Sequence, residues 1–129
     1  MEKLQALTEQ IVQLSKISND SSSGLREYKL ENGMAFSSTV YQSSHMSAAI
    51  FTASKGTIFP FHLHPKCKEV LICYHGKMTC VTDRRRIEME AGTVVELGSD
   101  EGHMLNVHED SKMMIVTIPP DFEAMARIR

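Results

Sequence analysis

Three histidines and one glutamate in this chain have the types and the spacing of a metal site. His62 and His64 are separated by Leu63 alone, in a stretch that reads as a strand. Strand side chains alternate faces, so both imidazoles project to the same side. Pro65-Lys66-Cys67-Lys68 then lead to Glu69, which opens another strand run. A four-residue hairpin loop there places His64 opposite Glu69, with Cβ atoms roughly 4.5–5.5 Å apart. Neutral imidazoles and a carboxylate meeting from adjacent strands make a facial site for a divalent transition metal. His103, on a later strand, is placed to close the set from the far side. Singly, these residues say little, because a lone strand histidine is ordinarily a surface or hydrogen-bonded group and a lone glutamate a solvated charge. Their combined spacing carries the reading.

Such a site needs a sheet to hold it, and the pattern from Leu25 onward is strand-like. Leu25 to Leu30 and Met34 to Tyr41 flank Glu31-Asn32-Gly33, and Asn-Gly is a strong short-hairpin signal. Short strands are expected at about 45–54, 57–64, 69–75, 77–82, 86–90, 93–97, 102–108 and 112–118, most of them separated by glycine or charged turns. So many short strands in one small domain indicate a sandwich or barrel. Before them, Leu4, Leu7, Ile11 and Leu14 form an amphipathic helical stripe, which Asn19-Asp20-Ser21-Ser22-Ser23-Gly24 ends. This helix is expected to lie on the barrel or to pair with a partner subunit. Pro119-Pro120 stops the last strand, and Asp121 is suited to cap a short tail helix bearing Phe122, Met125 and Ile128. The expected organisation is an N-terminal helix and linker over 1–24, a β domain over 25–120 and a tail over 121–129.

The residues also carry a family resemblance. Gly56, five residues, His62-Leu63-His64, four residues, Glu69, six residues and Gly76 match the first cupin motif in full. The segment from Gly92-Thr93-Val94-Val95-Glu96-Leu97-Gly98 to His103 resembles the second. That second match departs from the pattern: Thr93 stands at the usual acidic position, Gly98 at the usual proline, Asp100 at the next glycine and Val107 at the closing asparagine, with Asn106 beside it. The resemblance implies an all-β, jelly-roll-like barrel (a double-stranded β-helix) with iron, manganese, zinc or nickel in its lumen, held by His62, His64, Glu69 and His103. It also implies a small-molecule ligand or substrate. Cupin-like oxygenases, isomerases and decarboxylases resemble this arrangement, and so do the ligand-binding halves of regulators. An enzyme and a non-catalytic sensing module acting through a protein partner therefore both stand.

With 129 residues and a formal net charge of −2, the chain shows no basic stripe for nucleic acid and no polybasic membrane patch. Its three cysteines, Cys67, Cys73 and Cys80, form no CxxC pair, and its first residues lack the pattern of a secretion signal, so a reducing, cytoplasmic setting is expected. If His62 and His64 face inward, simple alternation turns Phe59, Phe61 and Leu63 outward. Val70, Ile72 and Tyr74 alternate with Glu69, Leu71 and Cys73, making that strand apolar on both faces. Strands covered on both sides need a second layer or subunit, so a homodimer is expected. Among the remaining residues, Cys67 is a loop thiol near the ligands and the strand methionines read as core filler. Arg84-Arg85-Arg86 reads as a solvated hairpin tip, and Glu96 and Tyr41 are the candidates for a polar group in the lumen.

Overall fold

A computed structural model describes residues 26–30, 32–63 and 66–120 of the chain. The expected N-terminal helix, its serine-rich linker, the C-terminal tail and His64 lie outside the described residues. Within them the chain folds into ten strands: β1 (Arg26–Leu30), β2 (Gly33–Gln42), β3 (Ser47–Ala53), β4 (Ile58–His62), β5 (Lys68–His75), β6 (Lys77–Thr82), β7 (Arg86–Glu90), β8 (Val94–Leu97), β9 (His103–Val107) and β10 (Ser111–Ile118). These follow the strand positions expected from alternation and turn residues to within a few residues at each end.

Two sheets divide the strands. Six run in the order β1-β2-β3-β10-β5-β8 and four in the order β4-β9-β6-β7. Every pairing is antiparallel. Alternation along each strand decides what faces the interior. On β5 the buried positions are Glu69, Leu71 and Cys73, while Val70 and Ile72 are half-buried and Tyr74 is exposed on the outer face. Leu71 is fully buried and sits opposite Val95 of β8 and Ile115 of β10. From the smaller sheet, Met78, Cys80, Met89 and Leu105 meet Leu71, Cys73, Val95, Leu97 and Met113 in one core cluster. Met78, Met89 and Met113 are thus packing residues, as a flexible thioether in an irregular core suggests.

Turn glycines carry the chain between strands. Gly56, Gly76 and Gly92 have φ of 89, 90 and 93°, a region that disfavours a side chain. The first hairpin forms as expected, but Gly33 serves it differently. Leu30 pairs directly with Gly33, and Gly33 is not among the positive-φ residues. A Cβ there would meet Thr57 Oγ1 at 2.2 Å and Ser54 Oγ at 2.9 Å, so this glycine admits a close approach of the β3–β4 turn.

One expected orientation is overturned. Phe59 packs against the core and meets Phe51 edge-on, with ring centroids 6.1 Å apart. Phe59 pairs with Leu105 and His62 with His103, so three steps on β4 match two on β9. The extra residue is a β-bulge, which resets the side-chain parity and lets Phe59 and His62 face the same interior. Phe61 and Leu63 do face outward, at 57% and 44% exposure.

Truncating the core at its centre tests this packing. Leu71→Ala is expected to cost about 2–5 kcal/mol in urea-induced unfolding. A loss well below about 1 kcal/mol would mean that the two sheets do not close on this side chain.

Candidate metal centre

The sheet pairings bring three of the four expected ligands to one place. Ligand atoms of His62, Glu69 and His103 all lie within 4.8 Å of one another. His62 ends β4 and His103 opens β9, directly opposite each other in the four-stranded sheet. Their rings are 4.3 Å apart at 60°. Glu69 reaches across from β5 of the six-stranded sheet, its Oε1 3.1 Å from His103 Nε2. The fourth expected ligand, His64, lies outside the described residues. Cys67 is buried beside the ligand loop but is not one of the three groups that converge.

Hydrogen bonds fix how each ligand presents itself. His62 Nδ1 lies 2.7 Å from the Pro60 carbonyl, and His103 Nδ1 lies 3.4 Å from the Glu101 carbonyl. A carbonyl oxygen only accepts, so Nδ1 is the donor in each contact; Nε2 of His62 then keeps a lone pair, and Nε2 of His103 faces Glu69 Oε1, where a proton or a cation joins the two groups. In each case the carbonyl belongs to the residue two before the histidine. Thr117, opposite Glu69 on β10, donates its hydroxyl to Glu69 Oε2 at 3.4 Å. Outer partners of this kind orient a ligand and fix its tautomer. Glu69 and His103 are almost fully buried, whereas His62 is half-buried on the open side. Two imidazoles, each oriented through Nδ1, and one carboxylate suit a divalent transition metal.

Other expectations for the site fare unevenly. Glu96 is not in the lumen: its neighbour Leu97 takes the inward place opposite Glu69, so Glu96 points out and pairs with Lys68 at 3.3 Å. Tyr41 is 48% exposed, beyond a register slip between Thr39 and Tyr41 that breaks the alternation of β2. Arg85 is more than a solvated tip. Its guanidinium bonds both oxygens of Glu101, which is buried, and this holds the Glu101 carboxyl far below its usual range, at about 2. Neither the carbonyls that orient the histidines nor Thr117 was foreseen, and each becomes visible only with the strand register.

The rim is apolar. A Cβ on Gly102 would strike the Phe61 ring at 2.4 Å, so the glycine next to His103 is what lets that ring lie over the turn.

The architecture is thus a double-sheet, antiparallel β-barrel with a His/His/Glu cluster joining its two sheets. Residues 49–119, more than half of the chain, match the family described as Cupin domain, and the chain belongs to that family. Solved structures share the fold. One is KdgF from Halomonas sp., at TM-score 0.69 and 14% identity, covering 77% of this chain and 92% of that one. An RmlC-like cupin from Shewanella frigidimarina gives 0.68 and 13%, covering 78% and 88%. A predicted oxalate decarboxylase from Thermotoga maritima gives 0.66 and 15%, covering 76% and 94%. Comparison with curated proteins gives no match. Among the described residues, no helix is long and apolar enough to cross a membrane.

Two interior thiols give a chemical check on the core beneath the cluster. Burial raises the Cys73 thiol above its usual value and pushes Cys80 up to about 11. The reactive thiolate is then scarce at neutral pH and grows only as pH rises toward those values. Iodoacetamide near neutral pH is expected to leave both unmodified in the native protein and to label both after unfolding in guanidinium. Peptide mass spectrometry reads the result, and fast labelling of either thiol in the native state would contradict the packing.

Proposed function

We propose that this cupin holds one divalent transition metal through His62, His64, Glu69 and His103 and acts on a small molecule as a metal-dependent enzyme of the oxygenase or isomerase type. The convergence of His62, Glu69 and His103 carries the reading. Burying a carboxylate beside two imidazoles at the end of an apolar core is costly unless a partner charge offsets it, and a divalent cation is a suitable partner. Such an ion supplies Lewis acidity toward a bound oxygen atom or, if it is iron, redox chemistry with dioxygen. The chain's own residues do the rest. The Pro60 and Glu101 carbonyls hold the rings, Thr117 orients the carboxylate, and the half-buried side at His62 leaves an approach for a ligand. Below the cluster the inner face is apolar, with Leu71, Phe51, Phe59 and Ile115, which excludes water and favours an uncharged small molecule over a polyanion. The three similar structures are consistent with this in fold, and one of them is described as a predicted decarboxylase.

A second reading, a non-catalytic ligand-binding module, is favoured by one observation. Beyond the three converging groups, the one further buried carboxylate among the described residues, Glu101, is already taken up by Arg85, and Glu96 and Tyr41 face away. Elemental analysis of protein purified without added metal, with oxygen uptake measured against small thiols, diketones and phenols, separates the two. Iron with substrate-dependent oxygen consumption supports the enzyme; tightly held zinc without turnover on any panel member supports the binding module.

For the centre itself, the double variant His62→Ala/His64→Ala is expected to lose stoichiometric metal. Metal retained at wild-type content would refute the ligand assignment. Glu69→Gln is expected to weaken affinity while leaving metal-free unfolding within about 1 kcal/mol of wild type.

The same reading includes a homodimer in a cytoplasmic setting. Val94 at 60% exposure, Tyr74 at 42% and the half-buried Val70, Ile72, Met114 and Val116 make the outer face of β8, β5 and β10 apolar, as an interface core is. Sedimentation should give twice the chain mass, and Ile72→Lys should halve it; a monomeric wild type would count against the dimer.

A further inference from the structure

We propose that Arg85 is a positioning residue for the metal centre, acting through Glu101 to fix the turn that delivers His103. The inference rests on the metal reading above and names what holds one of its ligands in place.

The turn between β8 and β9 runs from Gly98 to Gly102 and hands the chain to His103. It is closed by the Glu101 N–H donating to the Gly98 carbonyl at 3.1 Å, and by the Gly98 N–H donating to Glu101 Oε1 at 3.3 Å. Glu101 is only 5% exposed. Its carboxylate receives a two-pronged bond from Arg85, Nε to Oε2 at 2.9 Å and Nη2 to Oε1 at 3.0 Å. Arg85 Nη2 also donates to the Glu96 carbonyl, tying in the strand that leads into the turn. The carbonyl of this same Glu101 accepts from His103 Nδ1. Side chain and carbonyl of one residue thus link the guanidinium to the ligand ring.

The far end of the bridge is anchored too. Arg85 sits in the β6–β7 hairpin tip, where Thr82 N–H donates to the Arg85 carbonyl at 2.8 Å. Thr82 Oγ1 accepts from the N–H groups of Arg84 and Arg85 at 3.0 and 2.9 Å. Thr82 lies directly opposite His103 in the β6–β9 ladder. The same hairpin tip therefore pairs with His103 through Thr82 and, through Arg85, holds the residue two before it. A bidentate guanidinium–carboxylate pair with one buried partner is directional, and removing either half leaves the other uncompensated.

The neighbouring pair supplies a control. Arg84 meets Asp100 at 2.8 Å, but their side chains are 54% and 74% exposed. Solvent screens such a pair, and neither residue bonds a ligand.

Cobalt(II) titration of metal-free wild type, Arg85→Met, Arg85→Lys, Glu101→Gln and Arg84→Met tests the proposal, with affinity from chelator competition and the visible absorption of the bound ion as readouts. Arg85→Met and Glu101→Gln are expected to bind about 10- to 100-fold more weakly with an altered spectrum. Arg85→Lys, which keeps the charge but not the fork, should fall between them and wild type. Arg84→Met should stay within about threefold of wild type. A purely structural role would lower the melting temperature of the metal-free variants yet leave affinity and spectrum unchanged, and that outcome overturns the proposal. If Arg85→Met does not fold, Glu101→Gln and Arg85→Lys decide it on the same readouts. A wild type that takes up no cobalt refutes the metal reading, and this proposal with it.

Discussion

Side-chain parity is the constraint on which this site depends. Two sheets deliver groups to a common point only if each ligand lies on the inner face of its strand, and an offset of one residue turns a ligand to the outside. On β5 plain alternation suffices, placing Glu69 inward with Leu71 and Cys73. On β4 it does not. The bulge between Phe59 and His62 allows an apolar side chain to fill the core and an imidazole, three residues later, to face the same space. Core packing and ligand delivery are reconciled by that one extra residue.

The sequence made the fold and most of the cluster legible because both rest on local patterns. Alternation and turn residues mark the strands, and the spacing among His62, His64 and Glu69 lies within one short segment. The hairpin expected there does not form, because β4 and β5 fall in different sheets and Glu69 meets the histidines across the barrel. Bringing His103 to them depended on the second, looser motif, and the β4–β9 pairing explains why it belongs. What was not legible depends on register slips or on partners far apart in the chain. Phe59 was misplaced because a bulge leaves no mark in a pattern of apolar residues. Glu96 and Tyr41 read as lumen candidates because a sequence alone offers no fixed point for the parity of their strands; the pairing of Glu69 with Leu97 supplies one for Glu96.

The departures of the second motif also find a physical answer. Gly98 and Asp100 stand where the resemblance leads one to expect a proline and a glycine, so this turn lacks a ring to stiffen it. Here the stiffness comes from side chains instead, with Glu101 bonded to the Gly98 amide and to Arg85. A run of three arginines resembles a solvated tip when read alone. Only the β6–β7 hairpin, folded back beside the β8–β9 turn, reveals that its middle member differs from the other two. Burial separates them: Arg84 and Arg86 meet exposed carboxylates, whereas Arg85 meets one that is 5% exposed.

Glu69 belongs to the six-stranded sheet, and His62 and His103 to the four-stranded one. An ion held by all three would therefore be a cross-link between layers that Arg85, through the Glu96 carbonyl, also ties at that end. Occupancy and sheet separation would then be linked equilibria, because an opening that parts Glu69 from the two histidines would take away one of the ion's holders. At a free ion concentration a hundredfold above the dissociation constant, such linkage adds about 2.7 kcal/mol to the closed form. Loss of the ion would then loosen the mouth as well as silence the site, and breathing of the barrel would report the metal supply around it.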